Sequence, residues 1–188
     1  MNKNSNIFDY VNLINKRSKE AFKVIALSSA EQRNLAILNT STIIKNNTKE
    51  ILEANIVDIN NAKQKNMTNS LLDRLFFNAE RINNVVTGLE QISKIKDPLG
   101  IELSRWTQPN GLDISRVSVP LGVIGIIYES RPNVTVDAGS LCIKSGNTVI
   151  LRGGSDSINT SRILTKCLRE GLSSVNLPEN AIQMIDDI

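Results

Sequence analysis

The sequence predicts an α/β protein: an N-terminal helical layer, a β-hairpin, and then an incomplete doubly wound parallel sheet. Three observations carry that expectation. Up to about residue 95 the apolar residues recur at helical spacing; at Asp97-Pro98 the period changes; from Pro120 onward short, nearly all-apolar runs alternate with helical stretches. With 188 residues, 40% hydrophobic and 22% charged, the chain can bury a sizeable core, and its composition is that of a globular protein rather than a disordered or membrane-spanning one.

Residues 1–96 read as a helical segment that packs on the sheet-forming part of the chain. Phe8, Val11 and Ile14, continued by Ala21, Phe22 and Ile25, mark one stripe; Leu35, Leu38, Ile43 and Ile44 mark a second; Ile51, Leu52, Ile56 and Ile59 mark a third. Ser29 with Gln32 and Asn47 with Glu50 have capping-box spacing, and another helix is expected from Ala79 to Ile95. No functional site is expected in this layer. Residues 97–119 read as a hairpin. Pro98 stops the preceding helix, and Ile101 to Gln108 and Leu112 to Val119 alternate loosely around Pro109-Asn110-Gly111. Trp106 sits near the tip, where packing or a subunit contact is its expected use, and the hairpin is taken as an oligomerisation arm.

Residues 120–188 read as a partial Rossmann-like unit. Gly122-Val-Ile-Gly-Ile-Ile-Tyr128 is expected to be a strand buried on both faces. A helix from Val134 to Lys144 follows, stopped by Ser145-Gly146-Asn147. Thr148 to Leu151 is a second strand, Asn159 to Leu172 a second helix, and Ala181 to Ile185 a third strand. The first strand of such a sheet is normally flanked on both sides. Here Gly122 to Tyr128 is expected to be left as an edge.

Several chemistries are excluded by composition. Without histidine there is no Ser-His-Asp or Cys-His arrangement and no histidine-built zinc site, and the two cysteines match no metal knuckle. Cys142 and Cys167 lie within apolar helical runs and read as structural. A net charge of +3 with no basic stripe makes nucleic acid an unexpected partner, no run is long enough for a membrane span, and the cytoplasm is the expected location. No Gly-x-Gly-x-x-Gly and no P-loop occurs. Ligands of a doubly wound sheet bind beyond the carboxyl ends of its strands, and two loops there are polar enough to qualify. Tyr128-Glu-Ser-Arg-Pro-Asn133 gathers a carboxylate, a hydroxyl, a guanidinium and an amide. Arg152-Gly-Gly-Ser155 offers a guanidinium that can fork onto a phosphate, two glycines for close backbone approach, and a helix N-terminus. Either loop could equally be an ordinary strand-to-helix turn.

Two long strings are more specific. Val119-Pro-Leu-Gly-Val-Ile-Gly-Ile-Ile-Tyr-Glu-Ser-Arg-Pro-Asn-Val-Thr135 and Ser140-Leu-Cys-Ile-Lys-Ser-Gly-Asn-Thr-Val-Ile-Leu-Arg-Gly-Gly-Ser155 closely resemble the gamma-glutamyl phosphate reductase (glutamate-5-semialdehyde dehydrogenase) family of the aldehyde dehydrogenase superfamily. The similarity extends back through Leu71-Leu-Asp-Arg-Leu75 and Asp97-Pro-Leu-Gly100 and forward to Pro178 and Ile185-Asp186, covering essentially the whole chain but somewhat under half of a full-length member. The resemblance implies an NADPH-dependent reduction of L-glutamyl 5-phosphate to glutamate 5-semialdehyde and phosphate, in proline synthesis, through a cysteine thioester. That cysteine belongs to a domain beyond Ile188, so this chain is expected to be inactive alone. The resemblance also implies residue roles. Arg152, Gly153, Gly154 and Ser155 stand where the superfamily holds the adenosine ribose, arginine suiting a 2′-phosphate. Glu129, Ser130 and Arg131 would line the nicotinamide side or the acyl-phosphate path, and Asn133 would donate its amide to the developing oxyanion. The expected partner is a second copy or a complementary C-terminal chain. A remnant kept as a nucleotide-binding or oligomerisation module is the alternative reading.

Overall fold

A computed structural model describes residues 3–186. Seven helices and five strands follow in the order α1 (Lys3–Ile25), α2 (Ala30–Asn46), α3 (Thr48–Gln64), α4 (Asn69–Leu75), α5 (Ala79–Lys94), β1 (Glu102–Thr107), β2 (Asp113–Val117), β3 (Val123–Ile127), α6 (Pro132–Lys144), β4 (Thr148–Arg152), α7 (Ile158–Ser173) and β5 (Ile182–Met184). The strands form an antiparallel β1–β2 hairpin and a parallel sheet of order β3-β4-β5. This is the predicted α/β organisation, and α4 is the one helix the apolar spacing did not announce.

The helical segment divides around the sheet instead of forming one layer. Ile182 packs beside Gly139 of α6 and Leu168 of α7, and its sheet partner Val149 points the same way. Thr148, one residue along and so on the other face, donates to Ser18 O of α1 at 3.3 Å. Helix α1 therefore covers one face, α6 and α7 the other, and α2, α3 and α5 pack against the outside of α6 and α7. One continuous core runs through these layers, including Ile25, Ile44, Ile51, Ile82, Leu89, Val136, Leu151, Leu164 and Leu172.

The predicted stripes rotate where the neighbours demand it. In α2, Leu35 and Leu38 are exposed and the buried face is Arg33, Ala36, Ile37, Thr40, Ser41 and Ile44. Small residues are needed there because α2 crosses α7 at Gly171, where an added Cβ would meet Thr40 Oγ1 and come within 2.8 Å of Ala36 O. In α3, Ile56 is exposed while Asn55 and Asp58 face inward. In α1, Phe8 and Val11 are exposed and Ile14, Ala21 and Ile25 are buried. Ser29 caps α2 by accepting from Gln32 N at 3.1 Å, but the Gln32 side chain reaches Val175 O rather than returning to Ser29. Asn47 makes no cap bond to α3; its amide donates to Ile43 O and closes α2 instead.

Strand β3 departs from the expectation of burial on both faces. Val123, Ile124 and Ile126 are half-buried and Ile127 is 87% exposed, because the helices that cover the sheet faces, α1 and α6, pack chiefly on β4; β3 also has β4 on one side and, among the described residues, no strand on the other. The hairpin is anchored at its base, where Ser118 Oγ donates to Pro98 O and Gly100 N to Ser118 O. Its approach is pinned by Arg33, 2% exposed, which donates through Nη2 to both Asp97 carboxylate oxygens at 3.0 and 2.8 Å.

Candidate functional site

Strand β3 ends at Ile127, and the chain turns through Tyr128 to Arg131 into α6. Arg131 stands at the N-cap and Pro132 opens the helix, a position where proline's missing N–H costs nothing. No side chain caps this end, no acidic residue lies in the first turn, Pro132 carries no N–H and Val134 N donates to Arg131 O at 3.1 Å, so the Asn133 N–H and the positive dipole end remain available to an anion. Tyr128 is anchored: its N–H donates to Arg152 O at 3.1 Å, its hydroxyl pairs with Thr135 Oγ1 at 2.8 Å, and burial pushes its phenol up from the usual range.

Beside this turn lies a cleft of about 410 Å³, bounded by Asp73 and Arg74 of α4, the Phe76 and Phe77 connection, Arg81, Asn84 and Val85 of α5, and Arg131, Asn133 and Asp137 of the α6 end. Three guanidiniums converge on it. Arg74 Nη1 and Arg131 Nε both donate to Glu129 Oε2, at 2.9 and 3.2 Å. Arg81 Nη2 donates to Asp73 Oδ1 at 2.8 Å, its Nη1 serves the carbonyls of Asp73 and Phe76, and the group sits 5.7 Å from the Phe76 ring centre. Asn133 Nδ2 donates to Asp137 Oδ2 at 3.2 Å; burial pushes the Asp137 carboxyl up, and the Asn133 bond pulls it part of the way back. Asp73, Arg74, Arg81 and Asp137 are site-lining residues that periodicity did not single out, because charges on helices read as a solvated face. Only the Leu71–Leu75 string of the resemblance pointed toward α4.

The second loop sits against the first. A Cβ at Gly154 would collide with Ser130 Oγ and lie 2.9 Å from Ser130 N, and one at Gly153 would lie 3.0 Å from the Tyr128 ring. The glycines thus admit the neighbouring strand-end turn. The N-terminus of α7 is also spoken for. Buried Asp58 accepts from the N–H groups of Asn159 and Thr160 at 3.2 and 2.8 Å, and from Asn159 Nδ2 and Thr160 Oγ1. Those N–H groups are unavailable to a phosphate. Arg152 is different. It is half-buried, its Nη1 donates to Gly153 O at 3.0 Å, and among the described residues no carboxylate pairs with it. Both cysteines are buried, and burial pushes the Cys142 thiol up to about 11 and the Cys167 thiol up to about 12.

No protein-family model matches the chain. A gamma-glutamyl phosphate reductase of Allorhizobium ampelinum is 48% identical over 172 residues, which is 92% of this chain and 40% of that protein. The crystal structure of the gamma-glutamyl phosphate reductase of Thermotoga maritima has a TM-score of 0.89 at 41% identity, over 92% of this chain and 42% of that one. The chain is homologous to the N-terminal portion of gamma-glutamyl phosphate reductases. It spans about two fifths of the length of these reductases. A propionaldehyde dehydrogenase of Clostridium phytofermentans, 16% identical over 92% of this chain and 36% of that one with a TM-score of 0.63, shows the same aldehyde dehydrogenase-type fold beyond the reductases.

Proposed function

We propose that residues 120–188, with α4 and α5, form the substrate- and coenzyme-binding part of an acyl-phosphate reductase, which reduces L-glutamyl 5-phosphate with NADPH to glutamate 5-semialdehyde and phosphate. The observation that carries this reading is the cleft at the carboxyl end of β3. There, three guanidiniums and an uncapped helix end surround an amide, in a chain homologous to gamma-glutamyl phosphate reductases. Arg131 keeps its four Nη protons for the acyl phosphate while Glu129 holds its Nε. The Asn133 amide gives one proton to Asp137 and keeps the other for an oxyanion developing at the acyl carbon. Ser130 positions the turn by packing on Gly154.

Arg152 suits the 2′-phosphate of NADPH because its guanidinium is half-buried and, among the described residues, lacks a carboxylate. With the N-terminal amides of α7 occupied by Asp58, Gly153, Gly154 and Ser155 would contribute to coenzyme binding chiefly by placing Arg152. When bound, the reduced nicotinamide supplies a hydride. The nucleophile is a separate matter. Releasing phosphate from the substrate calls for a thiolate, and neither cysteine here is exposed or ionised at neutral pH. We therefore place the nucleophile on polypeptide outside these 188 residues, and read the chain alone as inactive. The hairpin of residues 97–119 is the arm, and the open edge of β3 the seam, through which a second copy or a complementary C-terminal polypeptide associates. No helix among the described residues is long and apolar enough to cross a membrane, and with both thiols free we place the protein in the cytoplasm.

Titration of the chain with NADPH and NADH tests the coenzyme reading. NADPH binds more tightly, and Arg152→Ala weakens NADPH about ten- to hundredfold, the worth of charge-assisted hydrogen bonds, with little effect on NADH. Equal losses for both coenzymes would overturn the role of Arg152.

A further inference from the structure

Among the described residues, Asp137 is the one carboxylate lining the cleft that has no cation beside it. Asp73 is matched by Arg81, and nearby Glu129 by Arg74 and Arg131. Asp137 accepts only from the Asn133 amide. It is half-buried, and its carboxyl is pushed up by burial with no guanidinium to bring it down. A desolvated carboxylate at the wall of an open cleft is costly until a cation reaches it. On the α5 side of the same cleft, Arg81 is held rigidly: Nη1 is occupied by the two carbonyls and one Nη2 proton by Asp73. The proton on Nε and the second on Nη2 are left, and these lie along the edge of a guanidinium that forks onto a carboxylate.

We propose that Asp137 and Arg81 form the amino-acid end of the substrate site, Asp137 receiving the ligand's ammonium group and Arg81 its free carboxylate, which selects an acyl phosphate that is also an α-amino acid. The proposal rests on the cleft being the substrate site. Asn133 and Asp137 lie four residues apart on α6, so their side chains are neighbours on one face, with Cβ atoms about 5–6 Å apart. Their polar ends meet, Asn133 Nδ2 lying 3.2 Å from Asp137 Oδ2, so one glutamyl chain can set its acyl oxygen against the amide and its ammonium group against the carboxylate. An acyl carbon at Asn133 therefore brings the ammonium group to Asp137. A plain dicarboxylic derivative of the same length would reach Asn133 and Arg81 but leave Asp137 buried without a counter-ion.

The test titrates the whole chain with L-glutamate and with glutarate, which lacks only the ammonium group, following the side-chain amide signals of Asn133 and Asn84 by NMR. L-glutamate is expected to bind about tenfold or more tightly than glutarate. Asp137→Asn should bring L-glutamate to the affinity of glutarate without altering glutarate, whereas Arg81→Gln weakens both. Equal affinity of the unmodified chain for the two probes, a comparison that needs no variant to fold, overturns the role of Asp137 and leaves the cleft as the substrate site. So does an equal loss of both probes in Asp137→Asn. Binding of neither probe, or shifts only outside the cleft, overturns the substrate reading of the cleft together with this proposal.

Discussion

A thiol's chemistry is set by the few ångströms around it, and Cys142 and Cys167 show this plainly. Each lies on the core-facing side of its helix, Cys142 just before buried Ile143 on α6 and Cys167 between buried Leu164 and Leu168 on α7; both end 6% exposed or less. Their thiols are pushed up to about 11 and about 12, far above the usual value near 8.5. At pH 8 the thiolate fraction is then at least about a hundredfold below that of a free cysteine. Iodoacetamide should accordingly leave the folded chain unlabelled at pH 8 and modify both cysteines once urea unfolds it. Rapid labelling of either cysteine in the folded chain would show that the helix faces are misassigned. These inert cysteines were legible in the sequence because an apolar neighbourhood is a local pattern. So was the polar density of residues 129–133 after an apolar strand. Asp137 was not: a lone carboxylate on a helix reads as solvated, yet it is half-buried on α6, which packs against α5.

Helix ends are where the elements are locked together, and α7 is locked by α3. Its first turn follows a 3₁₀ turn, Ser155–Ser157, and offers no side-chain cap of its own; Asp58, 1% exposed, supplies one from another element. One turn earlier on α3, buried Asn55 donates to Leu75 O and Thr160 Oγ1 and accepts from Phe77 N. It thereby holds the α4–α5 connection that carries Phe76 to the cleft. Two buried polar residues thus set the placement of both a helix start and a cleft wall. Asp58→Ala leaves the Asn159 and Thr160 N–H groups without acceptors in a dry site, and each orphaned group costs about 1–3 kcal/mol. Urea unfolding should show a loss of about 2–4 kcal/mol with an unchanged slope, and Asp58→Asn a smaller loss. A loss below about 0.5 kcal/mol would mean that water replaces the carboxylate. The same pair explains why apolar spacing puts Ile56 on the wrong face of α3. Helical periodicity counts apolar side chains, and here the inward face is chosen by hydrogen bonds to a helix more than 100 residues away in sequence.

At the scale of the whole molecule, the helices satisfy the faces of the sheet but not its margin. Helix α1 covers one face and α6 with α7 the other, yet a helix cannot supply the backbone partners that a strand edge lacks. Strand β3 is such an edge: Val-Ile-Gly-Ile-Ile, with no charge or proline to discourage pairing, bonded to β4 alone among the described residues, with Leu121 and Ile127 exposed at 88% and 87% on either side of its open run. The hairpin adds Leu103, Trp106, Leu112 and Val117, all exposed, on a two-stranded unit of a kind that is marginal in water without something to pack against. Both features were foreseeable from the order of elements, since a first strand without a later neighbour must lie at the margin. The half-burial of Val123, Ile124 and Ile126 was not foreseeable, because strand composition alone does not reveal which strand a covering helix reaches. The expected consequence is association that increases with protein concentration. Sedimentation velocity at several concentrations should show a species larger than 20.7 kDa, and Ile127→Lys, which places a charge on the open edge, should shift the equilibrium toward monomer without lowering the stability of the fold. If the unmodified chain stays a cooperatively unfolding monomer throughout, the edge is self-sufficient and the seam proposed for a second polypeptide is wrong. If Ile127→Lys leaves association intact while Trp106→Ala abolishes it, the hairpin alone makes the contact.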